Sequence, residues 1–357
     1  MKKVLIIQKQ ITPYWSLLFN QLNNKYGNKL LVVYCQKVED DRKWKITTLT
    51  HNYLLLKKSY FKINGHPIYI NFDIVKIMLK HNPDVIITYG FNPVMIIAWC
   101  YSLIKRIKHV VLTDSWLHTI NSLSTAHKLI RQIVFKSSDC FICVGIKSKI
   151  FLESYGVLPE KIFTSRLVID NSYYSMFLNV NKSYDIIFSA QLVNNKMPLF
   201  IVEVVNILNH KRKDLKFLII GQGPLESEII RKLDEYKIDY YFPGFIQQEE
   251  LPKYYASAKL LLFPSRNDVW GIVANEACAV GTPVITCEYT GAAGDLIIDG
   301  FNGYVLPLIE NLWVDKINEI LNNEDLYKKL SNNAIDHVQK YTVQIASNGF
   351  VDAIEHG

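Results

Sequence analysis

The sequence predicts an α/β protein built from two doubly wound, Rossmann-like domains in tandem. Three observations predict it. Short runs rich in β-branched residues alternate with helical stretches along the whole chain, and these runs are apolar on both faces, as parallel strands covered by helices must be. The rhythm breaks over residues 168–184, where Asp170, Asn171, Ser172, Asn179, Asn181 and Ser183 cluster, and a strand–helix series restarts at Asp185. The 357 residues, 49% of them hydrophobic, suffice for two cores at about 100–200 residues per domain.

In the first domain, residues 1–177, strands are expected at 4–8, 30–34, 85–88, 109–112 and 141–144, and helices at 15–25, 72–80 and 93–104. In the second, residues 178–340, strands are expected at 185–190, 216–220, 240–243, 260–263 and 283–286, and helices at 198–209, 225–236 and 271–280. The tail from 323 reads as helices with no further strand, and its last stretch, 341–357, is expected to pack back on the first domain. Two such sheets create a cleft between the carboxyl ends of their strands, where doubly wound sheets bind ligands.

Composition excludes disorder and low complexity, because the 16 Gly and 12 Pro are dispersed. No run of 18 apolar residues is present, which excludes a spanning helix. The nearest approach, 94–104, is bounded by Gly90, Asn92, Pro93 and Lys105. The first apolar run is ended by Gln8 without a secretory pattern, so a cytoplasmic location is expected. The net charge of +7 is unevenly spread. Residues 1–180 hold 24 Lys+Arg against 10 Asp+Glu, a balance of +14, and the remainder hold 16 against 23, a balance of −7. A basic half of this size suits nucleic acid, an anionic membrane surface or a phosphorylated substrate. The short runs Lys57-Lys58 and Lys105-Arg106 with Lys108 read as solvated faces. Among the six cysteines only Cys140 and Cys143 have a CxxC spacing, and they fall in one apolar run. Residues three apart on a strand face opposite ways, so the pair reads as buried side chains and not as a metal site or disulfide.

The most informative stretch is 263–285. A strand ends at Pro264 and Ser265, a polar loop holds Asp268, and Gly271 sits near a helix start. Glu276 follows inside that helix, Gly281 ends it, and Thr282 with Pro283 opens the next strand. A helix amino terminus offers free N–H groups and a positive dipole end, suited to phosphate. Asp268 and Glu276 are eight positions apart, about 12 Å along a helix axis at 1.5 Å per residue. At that separation each carboxylate can accept sugar hydroxyls on either side of a bound diphosphate.

These residues resemble the retaining, nucleotide-sugar-dependent glycosyltransferases of the GT-B fold, specifically family 4, with its two acidic residues separated by seven. The likeness covers most of the second half. Residues 188–196, 219–225, 243–246, 251–258 and 291–303 occur as blocks in the family's order. The resemblance implies that Lys196 contacts the donor diphosphate with Gln191 beside it, and that Glu276 accepts the ribose hydroxyls. It places Gly221 and Gly223 on nucleotide-side loops, the backbone of Gly244, Phe245 and Ile246 at the base, and Asp268, Val269, Trp270 and Gly271 at the sugar and diphosphate. Asp268 stands where the family usually has Glu, and Gln191 where many members have Arg. In the first half, residues 8–15 replace the Gly-Gly pair that many members carry after the first strand. Asp114 and His118, after the strand at 109–112, are candidates for contact with either substrate.

Each assignment has a plainer rival. Glu276 on a helix surface would need no function, but among Ala274, Ala277 and Ala279 it would be a costly unpaired buried charge. Lys196 in a polar loop can be merely solvated. Residues 291–294 are either a strand-to-helix turn or a close backbone approach to ligand. Gly221 and Gly223 echo a dinucleotide fingerprint, yet its third position is Glu226, which argues against a nicotinamide oxidoreductase.

The function implied is transfer of a sugar from a nucleoside-diphosphate-sugar co-substrate to a saccharide or lipid-linked acceptor, with retention and without a bound metal or other cofactor. No Ser-His-Asp set or placed carboxylate nucleophile is visible, so front-face attack is expected, with Lys196 and the helix start at Gly271 stabilising the departing diphosphate. The expected setting is cell-surface polysaccharide or glycolipid synthesis, with no nucleic-acid partner. The basic first half is expected to be peripheral on the inner face of the membrane, touching anionic lipid through residues 93–104 and the cations after them, or else to bury that helix in a core. A non-catalytic GT-B partner subunit and a GT-B nucleotide-sugar epimerase are the alternatives.

Overall fold

The side chains of Val4, Leu5, Ile6, Ile7, Ile86, Ile87, Val110 and Val111 have no exposed surface, as central strands of a sheet covered on both faces require. The computed structural model describes residues 1–38, 45–46, 48–57, 60–63, 66–120 and 123–357. Lys58 lies outside them. The chain divides into two units, Met1–Val168 with Val343–Gly357, and Ile169–Thr342.

The first unit runs β1 (Val4–Gln10), α1 (Pro13–Tyr26), β2 (Leu30–Gln36), β3 (Tyr53–Leu55), β4 (Tyr60–Ile63), β5 (His66–Tyr69), α2 (Asp73–His81), β6 (Val85–Tyr89), α3 (Pro93–Lys105), β7 (Lys108–Thr113), α4 (Thr125–Ser137), β8 (Cys140–Cys143), α5 (Ile146–Ser154) and β9 (Ile162–Thr164). Its sheet is parallel throughout, in the order β3-β2-β1-β6-β7-β8-β9, beside the antiparallel hairpin β4-β5. Pro13 and Pro93 occupy the first turns of α1 and α3, where a missing N–H costs nothing. The cysteines of β8 are buried and free.

The second unit runs α6 (Asn171–Ser175), β10 (Tyr184–Ser189), α7 (Pro198–Lys211), β11 (Lys216–Ile220), α8 (Glu226–Glu235), β12 (Asp239–Gly244), α9 (Leu251–Ala256), β13 (Ala258–Phe263), α10 (Ile272–Ala279), β14 (Val284–Thr286), β15 (Gly303–Val305), α11 (Glu310–Asn322) and α12 (Glu324–Val338). Its parallel sheet has the order β12-β11-β10-β13-β14-β15, the Rossmann order with its reversal between β10 and β13. Phe217, Leu260, Ile201, Val205 and Trp313 are buried in the core between this sheet and helices α7 and α11.

The last helix, α13 (Val343–Glu355), belongs to the first unit. There the ring of Phe350 lies 6.1 Å from those of both Trp15 and Phe19. Gly349 lies so close to β9 that a Cβ would sit 2.1 Å from the Thr164 carbonyl oxygen.

Three expectations change. The units divide between Val168 and Ile169 rather than after 177, and the second ends at Thr342 rather than 340. The first part of the polar cluster that reads as a domain boundary is a capped helix: the Asp170 side chain accepts from the Ser172 and Tyr173 N–H groups, and Asn171 Nδ2 donates to the Val338 and Tyr341 carbonyls. Asp170 and Asn171 serve there as cap and anchor, while Asn179, Asn181 and Ser183 beyond the helix are exposed. Strands β3, β9 and β15 and the hairpin were not anticipated, because three- or four-residue strands carry too little periodicity to register. No helix among the described residues is long and apolar enough to cross a membrane.

Candidate donor-binding site

Ligands of a doubly wound sheet bind beyond the strand carboxyl ends where the strand order reverses. In the second unit that point lies between β10 and β13, so the loops after these strands, 190–197 and 264–271, flank it. They are fastened together: Arg266 N–H and Ser265 Oγ donate to the Asn195 carbonyl at 2.8 and 3.1 Å. The clamp brings Lys196 onto Asp268, with Nζ 2.5 Å from Oδ2, although the two are 72 positions apart. Asp268 also accepts through Oδ1 from the Trp270 N–H at 3.2 Å. Gln191 is half-buried on the same loop as Lys196.

Asp268 precedes α10 by four residues, so the helical rise of about 12 Å to Glu276 does not apply to this pair. The chain between them turns sharply. Gly271 has φ +103°, and a Cβ on it would lie 2.3 Å from the Phe263 ring, so glycine is required both by backbone conformation and by space. Trp270 is buried, donates from Nε1 to Asn275 Oδ1 at 2.8 Å and rests 6.0 Å from the Tyr341 ring. The residue before α10, Gly271, offers no side-chain cap, and a helix start of this kind can receive an anion.

Glu276 is only 3% exposed. The Tyr174 hydroxyl donates to its Oε1 at 3.0 Å. Tyr255, fully buried, donates to Ser189 Oγ at 2.9 Å and also reaches Glu276. Burial pushes the carboxyl up to about 7, and the two tyrosine hydroxyls hold it lower than burial alone would. Tyr174 and Tyr255 are neighbours of the candidate residue Glu276 that sequence reading did not single out. The tandem Tyr173-Tyr174 just after a helix cap was the available signal, hidden in what read as a domain boundary.

The glycines divide by role. A Cβ on Gly221, at φ +145°, would lie 1.9 Å from the Ala190 carbonyl oxygen, and one on Gly223 2.4 Å from that of Leu192. A Cβ on Gly291 would lie 2.0 Å from the Val269 carbonyl oxygen. These three let loops pack against the Lys196 and Asp268 loops, which is reason enough for glycine without a ligand. Gly244, at φ +77°, has open space around it, and Phe245 and Ile246 after it are half-buried. Gly221→Ala is expected to cost at least about 2 kcal/mol from strain plus overpacking, lowering the melting temperature by roughly 4–8 °C. Gly244→Ala should cost about half as much. Equal melting curves for the two variants would contradict the packing role.

In the first unit, Asp114 directly follows β7 and accepts a hydrogen bond from the Tyr89 hydroxyl at the end of β6. His118 stacks on Trp116, with centroids 5.3 Å apart, and Lys147 Nζ lies 4.6 Å from the Trp116 ring centroid. The β1–α1 connection is only Ile11 and Thr12, both buried, because β1 extends two residues beyond its expected end. Among the described residues, no three His, Cys, Asp or Glu side chains gather as a metal site.

Residues 177–337 match the family Glycosyl transferases group 1. An uncharacterized glycosyltransferase of Methanocaldococcus jannaschii is 27% identical over 233 residues, 63% of this chain and 63% of that protein. The GalNAc-alpha-(1->4)-GalNAc-alpha-(1->3)-diNAcBac-PP-undecaprenol alpha-1,4-N-acetyl-D-galactosaminyltransferase of Campylobacter jejuni is 22% identical over 222 residues, 60% of each. The match thus spans less than two thirds of either relative. Among solved structures, Anabaena HepE in complex with UDP and glucose superposes over 100% of both chains with a TM-score of 0.77 at 14% identity. The fold is that of the GT-B glycosyltransferases.

Proposed function

We propose that this chain, a GT-B protein whose second unit belongs to the glycosyl transferases group 1, moves a sugar from a nucleoside-diphosphate donor to a hydroxyl of a saccharide or lipid-linked acceptor. The observation that carries this is the Lys196–Asp268 pair at the sheet reversal, next to the uncapped start of α10. The two side chains neutralise each other. A donor diphosphate would take Lys196 and the α10 N–H groups, freeing Asp268 to accept hydroxyls of the donor sugar. The lysine and the helix terminus then offset the negative charge that grows on the departing diphosphate, a fixed electrostatic contribution in place of a divalent ion. Glu276 accepts ribose hydroxyls, and the loop from Gly244 to Ile246 meets the base. The acceptor hydroxyl attacks from the face the leaving group departs, giving retention, while Asp114 and His118 act on the acceptor side.

The test is release of nucleoside diphosphate from a panel of nucleotide sugars, with and without EDTA, and the anomeric configuration of the product by NMR. Inversion, or dependence on a divalent ion, would overturn those parts of the reading.

A lipid-linked acceptor at the inner membrane face, in cell-surface polysaccharide or glycolipid synthesis, fits the basic first half of the chain. The Campylobacter relative is named for an undecaprenol-linked acceptor. On α3, Leu103 and Ile104 are exposed next to Lys105 and Arg106, and on α4, Leu129, Ile130 and Ile133 are exposed next to Lys128 and Lys136. Each cation that reaches an anionic surface contributes about 1 kcal/mol. Sedimentation with phosphatidylglycerol vesicles should fall several-fold for Lys105→Glu with Arg106→Glu and fall with salt. Binding indifferent to both would remove the electrostatic contact.

A further inference from the structure

Two consecutive tyrosines of α6 reach the two places where the nucleoside is proposed to sit. Tyr174 Oη donates to Glu276 Oε1 at 3.0 Å, and Tyr173 Oη donates to the Glu249 carbonyl at 2.7 Å, on the segment that continues from Gly244, Phe245 and Ile246. The helix that carries them is short but tied down on several sides. Asp170 caps it, Asn171 Nδ2 bonds the carbonyls of Val338 at 3.0 Å and Tyr341 at 3.3 Å, and the Tyr173 ring packs 5.7 Å from Phe177. Its two hydroxyls therefore have little freedom to move independently.

We propose that Tyr173 and Tyr174 are positioning residues that together set the separation between the ribose-accepting carboxylate and the base loop, so that α6 governs affinity for the nucleoside half of the donor and not for its diphosphate. The inference rests on Glu276 being the ribose acceptor. A carboxylate has about four acceptor sites, and the terminal torsion of Glu is broad, so one oxygen held by a fixed donor orients the other toward a ligand. Tyr174 occupies Oε1 in this way. The diphosphate, by contrast, is assigned to Lys196 and the start of α10, neither of which has a described hydrogen bond to α6.

The same geometry has a proton signature. The titratable groups against Glu276 are Tyr255 from α9 and Tyr174 from α6, and both hydroxyls favour the ionised carboxyl against the burial that raises it, Tyr174 as the donor to Oε1. Removing the Tyr174 hydroxyl leaves burial less opposed. The carboxylate then forms at higher pH, and the rise of nucleoside affinity with pH moves the same way.

The experiment is calorimetric titration of the full chain with UDP, GDP and inorganic pyrophosphate across pH 6–9, for wild type, Tyr174→Phe, Tyr173→Phe and Glu276→Gln, each checked for folding by circular dichroism. Tyr174→Phe should weaken nucleoside diphosphate binding about tenfold, the scale of a lost hydrogen bond to a charged group, with its pH limb moved to alkaline values. Tyr173→Phe should weaken it about threefold with the limb unmoved, and pyrophosphate affinity should be unchanged in both. An equal loss of pyrophosphate binding would reduce the tyrosines to general structural support and overturn the proposal. So would unchanged nucleotide affinity in Tyr174→Phe while Glu276→Gln loses it. Nucleotide affinity untouched by Glu276→Gln, or absent from wild type, would instead remove the ribose assignment, and the inference with it.

Discussion

Lys196→Ala is expected to lower sugar transfer by at least about 10²-fold, the usual consequence of removing one fixed stabiliser of transition-state charge. Lys196 is the cation held at the sheet reversal by the clamp between Asn195 and residues 265–266. Its loss acts twice. It removes positive charge from the leaving diphosphate, and it takes the lysine's charge away from Asp268, whose side chain is only 15% exposed. The second effect would repel the incoming diphosphate. Neutralising the aspartate in the same chain should therefore restore part of the donor affinity, though not the rate. Asp268→Asn alone keeps the loop contact to the Trp270 N–H and should alter discrimination among donor sugars more than affinity for free UDP or GDP. Turnover and nucleotide dissociation constants for the two single variants and the double variant check this. Strictly additive effects would mean that the lysine and aspartate do not act as a pair.

Glu276→Gln is expected to separate stability from binding. Burial raises this carboxyl from 4.5 to about 7, so the folded state binds the proton more tightly than the unfolded chain does. Between these values the native state holds more protons, and the contribution of Glu276 to stability falls as pH rises. Below about 4.5 there is no penalty, and above about 7 the penalty is constant, on the order of 3 kcal/mol. Glutamine at the same position keeps a carbonyl for the Tyr174 hydroxyl and carries no charge. At pH 8 the variant should thus melt roughly 5–10 °C above wild type, and at pH 5 the gap should shrink. Nucleoside diphosphate affinity should move the other way, falling at least tenfold in the variant and rising in wild type as pH passes through 7 and the carboxylate forms. Melting curves at pH 5 and 8, paired with nucleotide titrations, decide it. A gap that did not widen with pH would mean the carboxyl is not held in a desolvated site.

The cost of burying Glu276 also shows how far the sequence could be read. Its alanine neighbours 274, 277 and 279 marked a buried helix face, and a charge there implied a purpose. The charge's partners were not legible, because Tyr174 is 102 positions away in a segment whose polar residues read as a domain boundary. Gly271 was legible as a turn before a helix, and the structure adds that the Phe263 ring leaves no room for a Cβ. Gly221 and Gly223 were read toward a ligand, whereas their nearest neighbours are the backbone of residues 190–192. A sequence shows that a glycine is present but not which chain passes close to it.

By itself, the sequence determined the α/β class, the two strand–helix series and the block from 263 to 285, since alternation, helix starts and strand ends are written within about ten residues of each other. It determined the opposite charge of the two halves as well. Only the tertiary structure decided that β10 and β13 lie side by side at the reversal of the sheet, that Lys196 meets Asp268 there, and that α6 stands behind Glu276. The physical reason is the same in each case. Parallel strands are joined by crossovers, so neighbours in the sheet are distant in the chain, and the residues that share a site are chosen by strand order and loop packing, which no local pattern encodes.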